Sequence, residues 1–166
     1  MNVKGFFRYL LRGNRDRRKV GAVPCEPLSA GRQRIDVWAG WGRWQGSGSP
    51  RVHLETVFTS TLAYRAMPVE LSPESAQTLV VALKESREIR IPGERLQWIG
   101  RQELIVEPRI GGEPPHAARL TFTYSALMVA FQRIPADLGG PAIAGLIGLI
   151  ERALQHLKDG SVGSAA

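Results

Sequence analysis

Tyr64-Arg65-Ala66-Met67-Pro68-Val69-Glu70-Leu71 and Phe131-Gln132-Arg133-Ile134-Pro135-Ala136-Asp137-Leu138 lie 67 residues apart, with a proline, an acid and a leucine at equivalent positions. The same offset places Leu79, Val80 and Leu83 on Leu146, Ile147 and Ile150, and Arg34, Asp36 and Val37 on Arg101, Glu103 and Leu104. Equivalent residues recurring in the same order point to an internal duplication.

Working outward from the first copy, residues 52–66 alternate with period two. Val52, Leu54, Thr56, Phe58, Leu62 and Tyr64 fall on one side and His53, Glu55, Thr59, Thr61 and Arg65 on the other, the pattern of one long strand. Residues 34–45 carry Ile35, Val37 and Trp38 and lead into a Gly-Ser-Gly-Ser-Pro turn at 46–50, so they pair with that strand as a hairpin. Ser72-Pro73-Glu74 then marks a helix start: a cap, a first-turn proline and an acid at the positive end of the dipole. That helix is expected over Pro73–Glu88, with Ala76, Leu79, Val80 and Leu83 buried.

The second copy reads as a strand over Glu103–Ile110, a Gly and Pro turn, a long strand over Arg119–Ile134 and a helix over Pro141–Lys158. Leu120, Phe122 and Tyr124 are apolar on even positions and Leu127, Val129 and Phe131 on odd ones, which predicts a β-bulge near Ser125-Ala126. The expectation is an α+β domain over residues 32–159: two ββα units forming one four-stranded antiparallel sheet with both helices on one face, a permuted ferredoxin-like arrangement. Residues 160–166 read as a disordered tail.

Ahead of that domain, Val3, Phe6, Phe7, Leu10 and Leu11 have the spacing of one helix face, while Lys4, Arg8 and Arg12 share another. Arg15, Arg17, Arg18 and Lys19 follow, and residues 20–31 are rich in Pro, Gly, Ala and Ser. Residues 1–19 are expected to form a basic amphipathic arm and 20–31 a linker, so that deleting 1–31 leaves the domain folded.

Charge is concentrated at this end. The chain of 166 residues carries 22 Lys and Arg against 15 Asp and Glu, a net +7. Residues 1–51 hold 11 basic and 3 acidic residues, a balance of +8, whereas 52–166 hold 11 and 12. Such asymmetry favours an anionic partner. The lone Cys25 excludes an internal disulfide and fits a cytoplasmic setting. The longest uncharged run near the C-terminus, residues 138–150, holds 13 residues with four glycines, against the roughly 20 apolar residues of a membrane span.

No catalytic constellation emerges, so the chain is read as a non-enzyme without metal or cofactor. His53, His116 and His156 are scattered, and Gly111-Gly112 and Gly139-Gly140 lack the spacing of phosphate-binding loops. His53 and Glu55 share a strand face, an arrangement that a solvated polar face explains equally well.

Trp38, Trp41 and Trp44 beside Arg32, Arg34 and Arg43 are more suggestive, because aromatic planes interleaved with guanidinium groups stack unpaired bases and hold phosphates. The leading expectation is nucleic-acid binding, single strands favoured, through Arg8, Arg12, Arg15, Arg17, Arg18 and Lys19 of the arm and the Arg/Trp hairpin. The alternative is an assembly or adaptor module. In that reading Phe6, Phe7, Leu10 and Leu11 dock on a partner, on an acidic protein surface or, through residues 2–12, on a membrane, while the smooth flank at Ala144, Gly145 and Gly148 supports a homodimer.

Overall fold

The structure, a computed structural model, describes residues 17–41, 49–93, 100–109, 115–126 and 130–159. The described residues run through four strands, a helix, four more strands and a further helix: β1 Arg17–Pro24, β2 Arg32–Trp41, β3 Pro50–Thr59, β4 Tyr64–Leu71, α1 Pro73–Lys84, β5 Ile89–Pro92, β6 Arg101–Pro108, β7 Ala118–Ala126, β8 Ala130–Leu138 and α2 Gly140–Lys158. Strands β1 to β4 form one antiparallel sheet and β5 to β8 another, each ordered as in the chain.

This overturns the expected ββαββα domain with a single sheet, and with it the α+β repeat of two ββα units. Each stretch read as one long strand is a hairpin. Residues 52–66 break at Ser60, whose amide donates to the Ala63 carbonyl at 2.8 Å while its Oγ accepts from the Leu62 and Ala63 amides at 3.3 and 3.0 Å. A serine hydroxyl does here what Gly or Asn does in more recognisable turns. Residues 119–134 likewise divide into β7 and β8, so the phase slip near Ser125-Ala126 marks a chain reversal rather than a bulge.

The other two strands come from segments read as non-structured. β1 crosses the expected boundary between arm and linker and pairs with β2 from Arg17↔Gly40 to Pro24↔Arg34, with a register shift between Lys19 and Gly21. β5 occupies residues expected only to stop a helix. The expected helix over 2–12 and the tail 160–166 lie outside the described residues.

Each of the four sheet edges carries a proline: Pro24 in β1, Pro68 in β4, Pro92 in β5 and Pro135 in β8. Proline removes an amide from an edge, which discourages pairing with another chain wherever that edge stays open.

Helix α1 starts where its signals place it, Ser72 Oγ accepting from the Ser75 amide at 3.1 Å. It stops at Lys84, four residues before the expected end, because Ser86 turns into the left-handed region at φ 50° and the Arg87 amide closes back on the Ala82 carbonyl at 2.8 Å. Helix α2 packs its buried stripe, Ile143, Leu146, Ile147, Leu149, Ile150 and Ala153, against the first sheet, where Gly21 faces Leu149.

One hydrophobic core joins both sheets and both helices, from Ile35, Leu54 and Leu71 through Leu79 and Ile150 to Leu104, Leu120 and Phe122. Polar seams fix the sheets to each other. Gln33 Nε2 donates to Thr56 Oγ1 at 3.0 Å and to the Pro135 carbonyl at 2.9 Å, and the Glu26 amide donates to the Asp137 carbonyl at 2.7 Å. Among the described residues no helix is long and apolar enough to cross a membrane.

Candidate nucleic-acid interface

Strand alternation sorts the basic residues of the first sheet. Ile35, Val37 and Ala39 of β2 and Val52 and Leu54 of β3 are fully buried against the core, so Arg32, Arg34, Asp36 and Trp38 and, across the ladder, Arg51, His53 and Glu55 belong to the opposite, outer face. In β1, Lys19 pairs with Trp38 and Arg17 with Gly40, which brings both cations onto that face. Arg18 alternates away from it and is exposed. The face therefore gathers Arg17, Lys19, Arg32, Arg34 and Arg51 from three strands.

These cations differ in what holds them. Asp36, nearly buried, accepts from Arg34 Nε at 2.8 Å and lies 3.0 Å from Lys19 Nζ. The hydrogen bond to Asp36 raises the Arg34 guanidinium above its ordinary value, so it keeps its charge at any working pH. Arg17 Nη1 stands 3.9 Å from Glu55 Oε2 with little exposure. Its guanidinium carbon lies 4.2 Å from the centre of the Trp38 ring, and Lys19 Nζ lies 5.3 Å from it.

Trp38 is thus half-buried under its own cations, and its Nε1 is buried without a hydrogen bond among the described residues. Trp38, singled out from sequence beside the arginines, carries Arg17 over its indole ring.

The structure brings together five of the residues singled out from sequence, Arg17, Lys19, Arg32, Arg34 and Trp38. Trp41 ends β2. Arg43, Trp44, Arg8, Arg12, Arg15, Phe6, Phe7, Leu10 and Leu11 lie outside the described residues, so the expected basic helix and hairpin tip are not part of the site described. His53 does not pair with Glu55. It is fully buried with Nδ1 3.3 Å from Glu70 Oε1, directly across β3 and β4. Among the described residues no group of three His, Cys, Asp or Glu side chains is placed to hold a metal ion.

The structure also exposes two aromatics that sequence reasoning assigned to strand faces. Tyr64 is 69% and Phe131 70% exposed. Each closes a row across its outer face: Arg32–Thr59–Tyr64 in the first sheet and Arg101–Ser125–Phe131 in the second. For Phe131 the signal lay in the phase slip near Ser125-Ala126, whereas the period-two pattern continues through Leu62 and Tyr64 and gave none.

The described residues thus form two four-stranded sheets and two helices, with a basic outer face on the first sheet. No protein-family model and no curated protein sequence matches the chain. Among solved structures, that of the plant transcriptional regulator PBF-2 is similar in fold, with a TM-score of 0.58 and 12% sequence identity over 90% of each chain.

Proposed function

We propose that this protein binds single-stranded nucleic acid without catalysing a reaction, the outer face of the first sheet serving as its electrostatic platform. The observation that carries the reading is the convergence of Arg17, Lys19, Arg32, Arg34 and Arg51 on one sheet face, from the third of the sequence that holds all of the excess positive charge. A sheet face with exposed Arg32 and Tyr64 in one row suits an unpaired strand, whose phosphates meet cations while splayed bases find aromatic planes. Duplex readers commonly place a helix in the major groove, whereas both helices here bury their apolar faces in the core. The likeness in fold to a transcriptional regulator agrees with this reading.

Binding of labelled single-stranded oligonucleotides across a salt series tests it. Wild type should lose affinity steeply with salt, and replacing Arg32 and Arg34 by Ala should flatten the slope of log affinity against log salt by about 0.7 for each phosphate no longer neutralised. Arg17 is left in place in this variant because it holds Trp38 and Glu55. Folded wild-type protein that binds no nucleic acid at low salt would refute the proposal and favour an acidic protein surface as the partner of this face.

A further inference from the structure

The second sheet carries a cavity that the basic face does not explain. It is about 360 Å³ and is lined by Pro92, Gly93, Arg101, Glu103, Thr123 and Phe131, with Gln102 and Ser125 completing its floor. Its size lies at the lower end of small-molecule sites, which run from about 300 to 1,000 Å³, so it suits one planar ring system better than two. Phe131 stands at its rim with 70% of its surface exposed, and Arg101 is exposed two strands away in the same row.

We infer that this cavity receives a single unpaired nucleobase bearing an exocyclic amino group, cytosine foremost, stacked on Phe131 with its backbone phosphate toward Arg101. The inference rests on the proposed single-strand binding and assigns it a second, base-reading subsite on the other sheet.

The chemistry of the lining selects the base. Glu103 lines the cavity as an acceptor, its Oε2 4.0 Å from Arg90 Nη1 in a loose ion pair that leaves carboxylate lone pairs for a further donor. Thr123 Oγ1 donates to the Glu103 carbonyl at 3.1 Å and therefore turns its lone pairs outward. Gln102 has its Oε1 engaged by the Glu70 amide at 3.2 Å. Glu103 and Thr123 thus give the lining two acceptors, beside the donor Arg101. The amino group of cytosine donates to a carboxylate, whereas thymine and uracil present a carbonyl oxygen at the same edge, which the carboxylate repels.

Homopolymers of deoxycytidine and thymidine of equal length, compared at one salt concentration and mildly alkaline pH, test this because their charges are equal and the electrostatic contribution cancels. Wild type should prefer the cytidine strand. Phe131→Ala, exposed and therefore without effect on folding, should weaken binding of that strand by about five- to a hundred-fold, the range for one lost stack. Glu103→Gln, which can donate as well as accept, should abolish the preference while retaining affinity. If wild type binds both strands equally, or if Phe131→Ala and Glu103→Gln bind like wild type, the subsite is wrong and the basic face stands. If wild type binds neither strand, both readings fall.

Discussion

The rows Arg32–Thr59–Tyr64 and Arg101–Ser125–Phe131 place an arginine, a hydroxyl and an aromatic across the outer faces of two sheets, yet what surrounds them differs. In the first sheet the neighbouring cations bind inward: Lys19 and Arg34 on Asp36, and Arg17 on Glu55 and Trp38. In the second, Ile105, Thr121 and Thr123 are buried at the centre of the face beside Glu103, and Phe131 is largely exposed at the rim of the cavity. The difference follows from the edge strands. β1 is long, irregular at Lys19/Gly21 and fastened to β2 by side-chain ion pairs, so part of the charge that draws an anionic partner also holds the sheet together. β5 spans only four residues and carries the looser Arg90–Glu103 ion pair to β6, at 4.0 Å.

The largest test of that account is removal of β1. Val23 is buried, Gly21 packs on Leu149, and the strand is laddered to β2 over most of its length. Deleting residues 1–31 should therefore cost on the order of 5 kcal/mol or more, comparable to the whole stability of a small domain, and abolish the cooperative thermal transition. Deleting only residues 1–16 should leave that transition in place. Equal melting temperatures for the 1–31 deletion and wild type would restore the arm-and-linker description.

That reversal shows what the sequence made legible. The start of α1 could be read because its cap, proline and acid act within one turn, and Ser72, Pro73 and Glu74 need no distant partner. The buried stripe of α1, Ala76, Leu79, Val80 and Leu83, followed from helical spacing alone. β1 could not be read, because an edge strand with one face toward solvent tolerates Arg17-Arg18-Lys19 and Pro24, residues that elsewhere signal loops. The turn at Ser60 hid for the same kind of reason, its closure depending on a hydroxyl rather than on Gly or Asn. The basic residues of the site were identifiable by type, but their sharing of one face, and the capture of Trp38 by Arg17, are products of register.

The two aromatics give a sharper contrast. Trp38→Ala removes a half-buried indole together with the surface on which Arg17 rests, so a loss of about 2 kcal/mol is expected, below the roughly 3–5 kcal/mol of a fully buried aromatic. Phe131→Ala should change stability by no more than about 0.5 kcal/mol while lowering affinity for single strands. Denaturant titration of both variants beside the binding assay separates the roles, and a destabilised Phe131→Ala would make that ring part of the packing.

Gly100 precedes Arg101 at the head of β6, and a Cβ there would fall on the Ser125 carbonyl oxygen with the Tyr124 ring beside it. Since backbone blocks the added methyl, Gly100→Ala should cost about 1–3 kcal/mol and disturb the Arg101–Ser125–Phe131 row. Reduced cytidine preference in a variant that still melts cooperatively would tie the subsite to the geometry of this strand. An unchanged melting curve would show that the strand moves aside freely.

The smallest effect concerns the ionic junction between the sheets. Asp137 of β8 accepts from Arg119 Nε at 2.7 Å, faces Arg109 Nη2 at 3.1 Å, and lends its backbone carbonyl to Glu26 from the β1–β2 connection. The hydrogen bond from Arg119, aided by the charge of Arg109, holds its carboxyl below the usual range. A carboxyl whose folded-state value lies below its unfolded one, about 3.9, contributes stability that is fully present above the unfolded value and is lost as pH falls through the folded one. Asp137 is partly exposed, so the contribution at neutral pH is about 1 kcal/mol or less. Asp137→Asn mimics the protonated carboxyl at every pH. Its urea midpoint should therefore lie slightly below wild type at pH 7, and the two curves should converge as acid protonates Asp137 in both the folded and the unfolded chain. Parallel curves down to the lowest pH at which wild type still folds would show that the junction is held by the Glu26 amide and not by the carboxylate.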